Sequence, residues 1–128
     1  MQKFIVDTNF ILRYLLADNK LQYQKAKDIF DLVREGKAQV KLEQAVFVEI
    51  IFVLSSFYEV PKEKIIHIMN SFLSYKGIDT DKELLNTSLD IYGNNNIHIV
   101  DSIIIAKSRM QNLEALTFDK KILEILKK

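Results

Sequence analysis

Residues 3–16 read KFIVDTNFILRYLL. The apolar run Phe4, Ile5, Val6 stops at a lone carboxylate, Asp7, followed by Thr8 and Asn9, before a second apolar run begins at Phe10. A short β-branched run closed by turn residues predicts a buried strand over Lys3 to Asp7, and Ile11 to Ala17 predicts a short helix. Between two apolar runs, an ionised carboxylate is costly unless it is paired or holds a metal. The rest of the chain has to supply the reason for it.

Outward from that stretch, Leu21 to Glu35 carries Ala26, Ile29, Phe30 and Val33 at helical spacing and ends at Gly36, which predicts an amphipathic surface helix. Ala38 to Leu42 alternates as a second strand. Gln44 to Phe57 is apolar almost all round and too long for an ordinary strand, so a buried helix is expected. Pro61 stands at a first helical position, and Ile65, Ile68, Met69 and Phe72 continue a helix to Tyr75. Ile78 carries a very short strand, and Thr80 with Glu83 matches the Thr-x-x-Glu capping box of a helix reaching about Tyr92. Gly93 and three asparagines mark a loop, Val100 to Met110 a helix, Ala115 to Thr117 a strand edge, and Lys120 to Leu126 a last helix. Strands separated by helices predict an α/β/α sandwich around a central parallel sheet of four, at most five, strands.

The 128 residues, 48% of them hydrophobic, suit a single domain over 1–128 without repeat or linker. A formal charge of +1 gives no whole-molecule field for nucleic acid or membrane, so a polyanion has to be met by a local patch. Without cysteine there is neither disulfide nor thiolate metal site, and a metal would have carboxylate or histidine ligands. No apolar run approaches a membrane span, and a soluble protein of the reducing cytoplasm is expected.

Three further acids share the oddity of Asp7. Glu49 is the one charge in AVFVEIIFVL, Asp101 is set in IHIVDSIIIA at a helix start, and Asp119 follows ALTF where the last strand hands over to the last helix. Parallel α/β sheets place ligands where strand carboxyl ends meet helix starts. Two negative charges about 4 Å apart repel by roughly 4 kcal/mol at an effective dielectric near 20, so converging acids need a compensating cation. Oxygen-only ligands favour Mg²⁺ or Mn²⁺, which can activate water and stabilise a phosphodiester in flight. The plainer alternative makes Asp7, Asp119 and Asp101 helix caps. Glu49, mid-helix, has no capping role and would need a Lys or Arg partner.

The sequence here resembles the PIN-domain ribonucleases and, among them, the VapC-type toxins of toxin–antitoxin pairs. IVDTNFILRYLL is similar to the family's strand, Asp-Thr-Asn and short helix; VFVEIIFVL carries its second acid at Glu49, IVDSIIIAKSR its third at Asp101, and LTFDKKI its Thr-x-Asp turn at Thr117 and Asp119. The order is kept over nearly the whole chain. The chain stops at KILEILKK where relatives usually add a final strand, so four strands are expected. The resemblance implies an endoribonuclease in which Asp7, Glu49, Asp101 and Asp119 hold one or two Mg²⁺ or Mn²⁺ ions and RNA is cut to leave a 5′-phosphate. Thr8, Asn9 and Thr117 would orient carboxylates and waters. It also implies a cognate antitoxin and a homodimer.

Arg13, Lys107 and Arg109, within a few helical turns of Asp7 or Asp101, are the candidates to meet substrate phosphates. His67 is expected outside the site. The tyrosines and phenylalanines show no spaced cluster that resembles a base-stacking platform. Two other functions remain open: an RNA-processing nuclease of the same chemistry without antitoxin, and a non-catalytic α/β binding module whose acids are caps and buried pairs.

Overall fold

In a computed structural model that describes residues 1–128, Asp7 stops the first strand, β1 (Gln2–Ile5), and starts the first helix, α1 (Thr8–Leu16). Its carboxylate accepts the Phe10 amide at 2.9 Å, satisfying one of the donors that a helix start leaves open. The helix therefore begins three residues before the Ile11 expected from apolar spacing. It ends at Ala17, which takes a left-handed conformation with φ 53°. Asn19 caps α2 (Lys20–Arg34) by accepting the Gln22 amide at 3.1 Å.

Gly36, at φ 80°, closes α2 with paired bonds from Gly36 N–H to the Val33 carbonyl and from Lys37 N–H to the Leu32 carbonyl. The chain then enters β2 (Ala38–Lys41). It continues through α3 (Gln44–Ser56), α4 (Lys62–Leu73) and the two-residue β3 (Ile78–Asp79). The strands are parallel in the order β1-β2-β3, with Phe4 opposite Val40 and Val40 opposite Ile78. Ile11, Phe30, Val40, Phe47, Leu54, Met69 and Phe72 are buried together in residues 1–80, one of the chain's two compact units.

The other unit, residues 81–128, is helical: α5 (Lys82–Asn94), α6 (Ile99–Met110) and α7 (Lys120–Lys127). Leu84, Ile91, Ile105, Ala106, Ile122 and Ile125 form its core. The cap of α5 is Asp81, which accepts the Leu84 amide at 3.1 Å, and not the expected Thr80; α5 also runs through Gly93 to Asn94. No helix is long and apolar enough to cross a membrane.

The sheet has three strands, not four or five. Ala115 to Thr117, expected as a strand, forms no ladder, and Leu116 is 90% exposed; backbone so short has nothing to hold it extended without a neighbour's hydrogen bonds. β1 lies at a sheet edge paired only to β2, so it is not the buried strand its composition predicts, and Ile5 is 71% exposed. α3 likewise buries Phe47, Ile50, Ile51 and Leu54 on one face while Ala45, Glu49 and Phe52 are open to solvent on another.

Gly77 has no room for a side chain. A Cβ there would collide with the Ala38 carbonyl oxygen and lie 2.8 Å from that of Val33, while the Gly77 amide donates to Val33 and its carbonyl accepts from Val40, both at 2.8 Å. Gly77→Ala is expected to cost about 3 kcal/mol, lowering the melting temperature by roughly 10 °C; an unchanged melting curve would contradict this packing.

Candidate active site

Asp7 and Asp119 are helix caps. Each spends one carboxylate oxygen on a backbone amide: Asp7 on Phe10 at 2.9 Å, and Asp119 on Ile122 at 3.1 Å at the start of α7. Thr117 shapes the second cap, because its hydroxyl oxygen accepts the Asp119 amide at 3.0 Å. That bond fixes the turn presenting the Asp119 carboxylate and leaves the Thr117 hydroxyl proton free to donate.

Asp101 is not a cap. The cap position of α6 belongs to His98, and Asp101 lies in the first helical turn, half-buried, where the helix dipole favours a negative charge. Glu49 stands midway along α3 on the exposed face shared with Ala45 and Phe52, which is 64% exposed. The premise of four acids in apolar burial is therefore corrected: Asp7, Glu49 and Asp119 are exposed. Their apolar sequence neighbours led to the opposite expectation because several of those neighbours are themselves solvent-exposed.

None of the four is in an ion pair; the salt bridges of the chain use Asp18, Asp31 and Glu35. Exposed to solvent, Glu49 needs no Lys or Arg partner, and none is paired with it. For a divalent cation the donor chemistry fits, since all four are hard oxygen ligands and the two caps each keep an oxygen outside the cap bond. The structure holds no group of three or more His, Asp or Glu side chains arranged to grip an ion.

The expected cations differ among themselves. Arg13 is occupied: its Nη1 donates to both Asp18 oxygens, at 2.8 and 2.9 Å, and its Nη2 to the Tyr58 hydroxyl at 3.2 Å. The Tyr58 bond and the Asp18 charge hold its pKa above the ordinary value. Arg109 closes α7, donating from Nη2 to the Ile125 carbonyl at 2.6 Å. Lys107, half-buried on α6, has no side-chain bond. Thr8 is buried within the first turn of α1, whereas Asn9 is exposed.

The structure also gathers what the sequence scatters. Tyr14, Tyr23 and Tyr75 meet around a hollow in the first unit, with Arg34 bonded to two of their hydroxyls. The signal was present in the helical period. Tyr14 and Arg34 each follow a phenylalanine by four residues, on α1 and α2 (Phe10, Phe30), and Tyr75, just past the end of α4, follows Phe72 by three.

Because Asn caps as well as Asp, Asp119→Asn is expected to leave stability within about 0.5 kcal/mol of the parent, whereas Asp119→Ala should lose about 1 kcal/mol. Thermal unfolding of the two variants checks this, and equal losses would show that the cap bond contributes nothing.

The PIN domain family matches the chain over residues 4–128. No curated protein and no solved structure matches it.

Proposed function

This chain belongs to the PIN-domain family, whose members are generally nucleases, and on that premise we propose that it is a metal-dependent endoribonuclease acting as the toxin of a toxin–antitoxin pair. Asp7, Glu49, Asp101 and Asp119 are the carboxylates assigned to the cation, Mg²⁺ or Mn²⁺. The observation that carries the reading is that the family match spans residues 4–128 and takes in all four acids, each in its family motif.

When bound, the ion lowers the pKa of water and offsets charge on the phosphodiester. The chain's own groups do the positioning. The cap bonds fix the planes of Asp7 and Asp119 before any ligand arrives, so less ordering remains for binding to accomplish. Thr117 acts through Asp119, and Asn9 is exposed beside Asp7 as an amide able to donate to a carboxylate or a water. Lys107 is the cation assigned to a substrate phosphate; Arg13 and Arg109 serve the fold first. The cognate antitoxin, the homodimer and a cytoplasmic location complete the proposal and rest on the resemblance of the motifs.

The caps at Asp7 and Asp119 are also what a non-catalytic module would show. The readings part on cleavage. Purified protein should cut RNA with Mg²⁺ or Mn²⁺ and lose this with chelator, and a folded Asp101→Asn variant should fall by 100-fold or more, on the order seen when a group that acts in the transition state is removed. A variant as active as the parent would contradict the assignment.

A further inference from the structure

At the ends of α1, α2 and α4 the first unit has a hollow of about 290 Å³, lined by Tyr14, Tyr23, His67, Ser71, Phe72 and Tyr75 among others. That is close to the ~300 Å³ at which small-ligand pockets begin. The Tyr14 and Tyr23 rings are nearly parallel, 10° apart with centroids 6.2 Å apart, and Tyr75 stands edge-on to Tyr14 at 75°. Behind them Tyr14 packs on Phe30 at 4.6 Å and Tyr75 on Phe72 at 5.5 Å, so the rings rest on the core.

The polar side of the hollow is equally fixed. The Tyr14 and Tyr75 hydroxyls are 2.6 Å apart, and Nη2 of Arg34 donates to both at 2.9 Å while its guanidinium sits 4.9 Å from the centre of the Tyr75 ring. Burial and the bond to Tyr75 push the Tyr14 hydroxyl well above its ordinary pKa, so it stays neutral. Arg34 is 55% exposed, and its carboxylate partner, Asp31, is 4.0 Å away and already bonded to Lys27 at 2.6 Å. Its positive charge is therefore poorly neutralised beside the two lining tyrosines whose hydroxyls it bonds.

A flat ring joined to an anion suits both halves. We infer that this hollow binds one nucleotide unit of single-stranded RNA, its base against the tyrosine rings and its phosphate toward Arg34. Ring stacking accepts any base and Arg34 supplies the charge, the combination that single-strand binders use. Tyr14 is seven residues along α1 from Asp7, about 10 Å at 1.5 Å per residue, so the hollow would hold substrate some distance from the acids. The choice of RNA over another ring-bearing anion rests on the ribonuclease reading.

The test uses the whole chain with ring-labelled tyrosine, titrated with hexaadenylate in chelator and followed by NMR. Of the five tyrosine signals, those of Tyr14, Tyr23 and Tyr75 should shift, while Tyr58 and Tyr92 stay in place. Tyr23→Ala and Arg34→Gln should each weaken binding on the order of tenfold, and adenosine, without phosphate, should bind far more weakly than the oligonucleotide. Shifts confined to Tyr58 or Tyr92, no shift at all, equal binding by both variants and the parent, or shifts that follow protein concentration and mark a second copy on this face would overturn the inference. Because no cleavage is measured, the outcome is separate from that of the nuclease reading: RNA cut without tyrosine shifts removes the hollow alone, and shifts without cutting remove the nuclease alone.

Discussion

One hydrogen bond, from the Phe10 amide to the Asp7 carboxylate at 2.9 Å, determines where the first strand gives way to the first helix. With α1 started at Thr8, Ile11 and Leu12 face inward and Tyr14 reaches the rim of the hollow. Started a residue later, the helix would turn each of these by about 100°. The same bond uses one carboxylate oxygen and leaves the other available, so a fold contact and a ligand role are compatible in one side chain. Asp119 repeats the arrangement at α7, with Thr117 as its support.

The elements were largely legible because they rest on local chemistry. Gly36 closed α2 where a left-handed residue was needed, and the period of Ala26, Phe30 and Val33 marked its buried face. Capping was legible only to within a residue: Asp81 takes the place expected of Thr80, since both types can accept an amide and sequence spacing cannot rank adjacent candidates. Exposure was misread. Apolar composition cannot tell a covered strand from an edge, and Ile5, Phe52 and Leu116 are apolar and exposed alike. The strand expected at 115–117 failed for the same reason, because a strand exists only with its neighbour.

The candidate site divides along similar lines. Asp7 and Asp119 were named in the sequence, with both a capping and a ligand role open, and the structure realises the capping role. Glu49 is an exposed carboxylate midway along α3 and Asp101 a half-buried one in the first turn of α6, so neither takes the capping role. The tyrosine hollow was invisible to a search for clustered aromatics because Tyr14 lies on α1, Tyr23 on α2 and Tyr75 just past the end of α4, far apart in sequence.

The central claim, that four separate carboxylates serve one cation site, is tested most directly by adding substoichiometric Mn²⁺ to uniformly labelled protein. Paramagnetic broadening follows distance from the ion. The account predicts that backbone signals around Asp7, Glu49, Asp101 and Asp119 fade together while those of α4 stay sharp, and that Asp101→Asn weakens the effect at all four. Broadening at scattered surface acids, or at one of the four without the others, would contradict it.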